Sequence, residues 1–204
     1  MKKGLFITVE GLDGCGKSTQ LSLLSDYLLS KGYEVEFTRE PGSKGLGESV
    51  RNILLNYDGE VSNRCEAFLF LADRAQNIDV IVKPAVEQGK IVLSDRHIDS
   101  TLAYQGYARG GDIEQLKYLN NLATNSYKPD LTFVFDISVE TSLKRVGENK
   151  DRMESENREF FEKVRQGYLE IAKHDRQRVK VIDSETSIET IFEQVKGFVD
   201  EKLV

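Results

Sequence analysis

Lys17 and Ser18 close the run Gly11-Leu12-Asp13-Gly14-Cys15-Gly16-Lys17-Ser18, which fits the spacing G-x-x-x-x-G-K-[ST]. The chemistry of that spacing is phosphate binding. Glycines let the backbone wrap an anion without Cβ clashes. The loop N–H groups and the positive end of a following helix then point at phosphate oxygens. A lysine at position 17 reaches β and γ phosphates, and a hydroxyl at position 18 can ligate Mg²⁺. Gly11, Leu12, Asp13, Gly14, Cys15, Gly16, Lys17, Ser18 and Thr19 are therefore the expected phosphate-binding stretch.

The flanks suit that reading. Leu5-Phe6-Ile7-Thr8-Val9 is short, apolar and rich in strand formers, and Leu21, Leu24 and Leu28 recur at helical spacing after the loop. Strands are expected near Leu5–Glu10, Glu34–Thr38, Ile91–Ser94, Leu131–Asp136 and Val179–Ile182. Helices are expected near Lys17–Lys31, Gly47–Leu55, Arg64–Gln88, Ile113–Asn125, Val139–Val146, Ser155–His174 and Ile188–Leu203. Alternating strands and helices predict an α/β, P-loop NTPase-type three-layer fold. Its five-stranded parallel sheet carries helices on both faces, with a short lid about residues 147–154. The 204 residues suit one domain, 1–204.

In such sheets ligands bind beyond the carboxyl ends of the strands. There the chain places Arg39-Glu40-Pro41-Gly42, Asp95-Arg96-His97 and Asp136. Asp95 can hold Mg²⁺ beside the Ser18 hydroxyl, or pair structurally with Arg96. Arg39, Arg96 and Lys17 suit a reaction that crowds phosphates together. Phe68, Leu71, Ala75, Ile78 and Val82 form an apolar helical stripe whose default place is the core; Phe68 could instead offer a ring face to a base. Tyr104 and Gln105 sit in a glycine-rich aromatic segment that reads as a base-contacting stretch or as an exposed loop. Arg145 and Arg152 could bridge phosphates or cover adenine.

Formal net charge is −6, so nucleic acid is a poor default partner and any phosphate site must be a local basic cluster. Two cysteines without a CxxC spacing, and two histidines, argue against a structural disulfide and a zinc cluster. No leader or membrane-spanning run is visible, and a cytoplasmic location is expected.

Taken in order, Val9 to Thr19, Thr38 to Gly42, Glu66 to Phe70 with Ala72-Asp73-Arg74, Asp95-Arg96-His97, Ser100 with Ala103-Tyr104-Gln105-Gly106, and Pro129 to Thr132 resemble the bacterial thymidylate kinase family. The resemblance implies transfer of the ATP γ-phosphoryl group to dTMP with Mg²⁺, supplying dTTP biosynthesis, in a homodimer. A kinase for another nucleotide or nucleoside on the same fold is the alternative. By matching position, Phe68 would stack on thymine and Arg74 would bond the base. Arg39 and Arg96 would hold the acceptor phosphate, and Asp13 would meet the 3′-hydroxyl. Ser100 and Thr101 would line the base pocket, with Tyr104 against the ribose and Gln105 near the nucleoside. Lys17, Arg96, Asp95 and Arg152 would be catalytic, Arg145 would join the ATP site, and Ser18 and Asp95 would hold the metal. The chain departs from the family pattern at Ser43-Lys44, where a glycine and a threonine are usual, and has Gly14 where one branch carries an arginine. In the branch it resembles, lid arginines supply that charge; the short lid here contains Lys150 and Arg152, of which Arg152 is the candidate.

Overall fold

Apolar β-formers at five places in the chain assemble one wholly parallel sheet: β1 (Leu5–Gly11), β2 (Val35–Arg39), β3 (Ile91–Asp95), β4 (Leu131–Asp136) and β5 (Val179–Asp183). The structure, a computed structural model, describes residues 4–147 and 151–203. Strand order is β2-β3-β1-β4-β5, so the strand leading into the glycine loop lies centrally. All five expected strands are present, each to within one residue at its ends.

Alternation along β1 sorts its side chains to two layers. Leu5, Ile7 and Val9 pack with Leu21, Leu24 and Leu28 of α1 (Lys17–Ser30) and Ile191, Val195 and Val199 of α9 (Ile188–Leu203). On the other face Phe6 meets Ile78 and Val82. Val134 there joins a cluster with Phe160, Val164 and Tyr168 of α8 (Arg158–His174). Helices on both faces explain why β1 is buried along its whole length.

The remaining helices are α2 (Leu46–Asn56), α3 (Asn63–Asn77), α4 (Lys83–Glu87), α5 (Ile98–Thr101), α6 (Ile113–Ala123) and α7 (Val139–Val146). Two stretches depart from the sequence expectation. The helix expected over Arg64–Gln88 is divided: α3 passes through a π-helical turn, Ile78–Val82, into α4, whose first turn carries Pro84. The wider turn comes just before the proline, whose ring supplies no N–H to the helix ladder. The glycine-rich segment around Tyr104 is no exposed loop. It continues α5 as a π-helix, Leu102–Ala108, in which Tyr104 and Gln105 are buried. Tertiary packing overrides its weak local preference. Tyr104 sits edge-on to Phe160 and Tyr168, and a Cβ at Gly167 would lie 2.9 Å from Tyr107. The expected lid falls partly outside the described residues, Lys150 included.

Candidate active site

Register decides which side chains share the sheet's carboxyl edge. Arg39 lies opposite Asp95, Asp95 opposite Val9, and Gly11 opposite Phe135, so the loops after β1, β2 and β3 leave at one level. A cavity of about 310 Å³ opens there. Asp13 and Ser18 line it together with Arg39, Arg51, Phe70, Arg74, Thr101 and Gln105, with Asp95, Arg96, Ser100 and Tyr104, and with Asp151 and Glu154.

The glycine loop holds its shape through two close approaches. A Cβ at Gly11 (φ +131°) would meet the Phe135 carbonyl oxygen at 2.5 Å, and one at Gly14 (φ +74°) would meet the Arg145 Cβ at 2.8 Å. Helix α1 begins at Lys17 with no side-chain cap and no acidic residue in its first turn. Its N-terminal N–H groups and positive dipole end are left for an anion. Lys17 Nζ lies back along the loop, 3.0 Å from the Leu12 carbonyl oxygen and 3.6 Å from Asp13 Oδ1. Cys15 is buried behind it, and burial pushes its thiol pKa up, so it acts as a small filling residue. Thr19 is exposed, and the Arg145 guanidinium donates to the Gly14 carbonyl at 3.0 Å.

Arg96 adopts φ +72°, unusual for a side-chain-bearing residue, and its guanidinium points into the cavity. It bonds Asp13 Oδ1 at 2.7 Å and the Tyr168 hydroxyl at 3.0 Å, and lies 5.2 Å from the Tyr104 ring centroid. Its ion-pair partner is thus Asp13, not the adjacent Asp95. Burial resists ionisation of Asp13, but Arg96 and Lys17 outweigh it and bring its pKa down to about 2. Behind Arg96 stands Glu10, fully buried. It accepts from the His97 N–H at 2.8 Å, Ser100 Oγ at 2.6 Å and the Tyr168 hydroxyl at 3.0 Å. Burial, then Asp99, raises the Glu10 pKa to about 7.

Arg74 is buried and nearly saturated. It donates to Glu40 at 2.8 Å, Thr101 Oγ1 at 2.7 Å, Asn120 Oδ1 at 2.6 Å and the His97 carbonyl at 2.8 Å, leaving one Nη2 hydrogen of its five. Gln105 donates to Glu66 at 3.0 Å. Arg39 and Arg51, by contrast, bond only the carbonyls of Gly42 and Pro41, and neither has a carboxylate partner among the described residues. Burial, then the Arg39 charge, lowers the Arg51 pKa. Two like charges at one rim make a place where an anion is stabilising.

Phe68 requires correction. It is 53% exposed on α3 and does not line the cavity; Phe70 does. The helical period explains it: Phe70 and Arg74 are four apart and share a face, whereas Phe68 and Arg74 are six apart and do not. That i,i+4 spacing was available in the sequence. So was the Arg51–Leu55 pair on α2, both of which reach the cavity and neither of which was singled out. Arg152 is also set apart from the loop, ion-paired to Glu66 at 2.8 Å and donating to the Leu54 carbonyl at 2.7 Å.

Asp95 Oδ1 is buried with no hydrogen-bond partner among the described residues, and Ser18 lines the same cavity. An orphaned carboxylate oxygen and a hydroxyl are hard oxygen donors suited to Mg²⁺. No group of three or more His, Cys, Asp or Glu gathers as a metal cage among the described residues. That fits an ion completed by substrate phosphates and water.

The thymidylate kinase family model matches residues 9–195. A thymidylate kinase of a Sulfurihydrogenibium species is 52% identical over 186 residues, covering 91% of each chain. One from Maridesulfovibrio salexigens is 44% identical, covering 98% of this chain and 96% of the relative. The crystal structure of thymidylate kinase from Ehrlichia chaffeensis shares the fold at a TM-score of 0.80 and 38% identity, covering 97% of this chain and 98% of that one. With matches of this length to both the sequences and the fold, the chain belongs to the thymidylate kinase family of phosphotransferases.

Proposed function

We propose that the chain transfers the γ-phosphoryl group of ATP to dTMP, giving ADP and dTDP for dTTP synthesis. The observation that carries this is one cavity shared by Asp13 and Ser18 beside the uncapped start of α1, two arginines without carboxylate partners among the described residues, an aromatic ring and the Arg74 and Gln105 side chains. The loop from Gly11 to Thr19 cradles the triphosphate, with Arg145 over the nucleotide. Arg39, Arg51 and Arg96 clasp the acceptor phosphate. Phe70, in place of Phe68, stacks on the base, and Arg74 donates its remaining hydrogen to a base carbonyl. Ser100, Thr101 and Gln105 line the base pocket, Tyr104 closes against the sugar, and Asp13 meets its 3′-hydroxyl.

The acceptor oxygen is already ionised near neutral pH, so no general base is required. Catalysis is positioning and charge stabilisation. Lys17 and Arg96 stabilise negative charge on the transferring group, and Asp13 orients Arg96. Ser18 and Asp95 hold Mg²⁺, which when bound neutralises phosphate oxygens. Arg152 adds charge from the lid, about residues 147–154, after leaving Glu66. Residues 1–204 act as one kinase domain.

A homodimer is supported by exposed apolar side chains on three neighbouring helices: Ile53 and Tyr57 in and after α2, Phe68 on α3, and Tyr118 and Leu122 on α6. α2 packs on α3, and α3 on α6. Both cysteines are free, in keeping with a reducing cytoplasm, and no helix among the described residues is long and apolar enough to cross a membrane. An acceptor panel of dTMP, dUMP, UMP, CMP and thymidine with Mg-ATP tests the reading. dTMP is expected to give the highest kcat/KM, and a better ribonucleotide or nucleoside acceptor would move the assignment to another kinase on this fold.

A further inference from the structure

Glu66 lies one layer behind the cavity. Its side chain is 1% exposed and is absent from the cavity lining, whereas Gln105, which it contacts, is part of that lining. The Glu66 carboxylate is heavily served. Oε1 accepts from Gln105 Nε2 at 3.0 Å and from Arg109 Nε at 3.0 Å; Oε2 accepts from Arg109 Nη2 at 3.2 Å and Arg152 Nη2 at 2.8 Å. Two guanidiniums keep it ionised. Burial opposes ionisation, but the Arg109, Gln105 and Arg152 hydrogen bonds prevail and lower its pKa.

An ionised carboxylate can only accept hydrogen bonds. Facing it, the Gln105 amide must turn its NH₂ toward Glu66 and its carbonyl oxygen the other way. A glutamine that is free to flip offers a base either a donor or an acceptor; this one offers an acceptor. Thymine presents an N3–H donor beside its O4 acceptor. Cytosine presents a bare N3 acceptor beside an N4 donor. An acceptor at Gln105 with a donor at Arg74 therefore complements thymine and opposes cytosine at both positions.

We propose that Glu66 is a positioning residue for base specificity: it locks the Gln105 amide so that its carbonyl oxygen faces the pyrimidine N3 position, accepting thymine and rejecting cytosine. This rests on the reading of the cavity as the dTMP pocket. The lock makes no distinction between thymine and uracil, whose N3 and O4 groups are alike.

The experiment measures dissociation constants of dTMP and dCMP by calorimetric titration, and dTMP turnover with Mg-ATP, for the wild-type protein, Glu66→Gln and Arg109→Lys. A glutamine at 66 can donate or accept, so the Gln105 amide is free to flip. The ratio of dCMP to dTMP dissociation constants is expected to fall about tenfold or more in Glu66→Gln. The dTMP penalty should appear mainly in KM. Arg109→Lys keeps Glu66 charged, and its ratio should stay within about threefold of wild type. A wild-type protein that does not phosphorylate dTMP overturns the functional reading. A wild-type protein that does, beside a cooperatively folded Glu66→Gln of unchanged ratio, overturns the lock alone. An equal fall in Arg109→Lys also overturns it, since the effect would then be general loosening. Should Glu66→Gln not fold, NMR of the wild-type complex decides. The Gln105 side-chain NH₂ is expected to show contacts to Arg109 Hε; contacts to the bound base instead refute the proposal.

Discussion

Replacing Phe70 by alanine, with Phe68→Ala in parallel, separates the two aromatic residues of α3 most sharply. Phe70 lines the cavity on the same helical face as Arg74, while Phe68 is 53% exposed on another face. A base stacked on an aromatic side chain loses about 1–3 kcal/mol on truncation to alanine. At about 1.4 kcal/mol per decade, dTMP binding by Phe70→Ala should weaken roughly 5- to 150-fold. ATP binding should change little, because the ring belongs to α3 and not to the glycine loop or the start of α1. Phe68→Ala should leave dTMP affinity within about twofold, since an exposed side chain outside the site contributes little to a ligand. Its effect should appear in self-association, measured by sedimentation equilibrium, as a weaker dimer. The assays are calorimetric titration of dTMP and steady-state KM at saturating Mg-ATP. A tenfold loss of dTMP affinity in Phe68→Ala, with Phe70→Ala unchanged, would refute the helical-face argument and restore the residue first suggested by position.

Three further outcomes follow from the same geometry. Lys17→Ala and Arg96→Ala should each cut kcat by about 10³ or more while leaving a cooperative thermal transition; near-normal turnover in either removes that residue from the charge-stabilising set. Glu10→Gln should flatten the fall of stability with pH. The folded Glu10 pKa of about 7 lies above its ordinary 4.5, so its contribution is full below about pH 4.5 and is lost as pH rises through 7, a span worth about 3 kcal/mol; parallel wild-type and variant denaturation curves from pH 5 to 8 would exclude that state. Arg51→Met should melt no lower than wild type, because it removes a charge that burial and Arg39 both disfavour, yet raise the dTMP KM about tenfold or more; unchanged KM would place the acceptor phosphate elsewhere.

The strands were legible because buried parallel strands leave continuous apolar runs such as Phe133-Val134-Phe135, bounded by turn residues. The glycine loop was legible because its residue types answer to local geometry alone. What escaped depends on packing between elements distant in sequence. Leu102–Ala108 carries glycine, two tyrosines and no 3.6-residue apolar period, so nothing local marks it as helical. It is helical because Tyr104 and Tyr107 pack on α8, some sixty residues onward, where Gly167 admits the close approach. The division of α3 from α4 was half visible, since Pro84 announces a disturbance but not the π-turn that absorbs it. Phe68 was misplaced by matching a motif without turning it about the helix axis. Arg51 was missed because one arginine on an amphipathic helix resembles any solvated cation until Arg39 is known to stand near it.

The same contrast explains how a chain of net charge −6 can build the proposed site for several phosphates. Three of its carboxylates at the site are committed to arginines. Asp13 pairs with Arg96, Glu40 with Arg74 and Glu66 with Arg109 and Arg152. Each assigned arginine is fixed in direction by its partner, which suits a group that must recognise one atom of a ligand. Of the four arginines lining the cavity, Arg39 and Arg51 have no carboxylate partner among the described residues and stand together at the rim, where their repulsion remains until an anion arrives. On the proposed reading, Arg39 and Arg51, whose charges the fold leaves uncompensated, join Arg96 on the acceptor's phosphate, while the base meets Arg74 and Gln105, held by Glu40 and Glu66. Because Arg39 and Arg51 are not among the residues assigned to the base, weakening them should lower affinity for every nucleotide alike, whereas disturbing Glu66 or Glu40 should alter which base is preferred. That separation is a consequence of where the carboxylates lie, and total charge carries no trace of it.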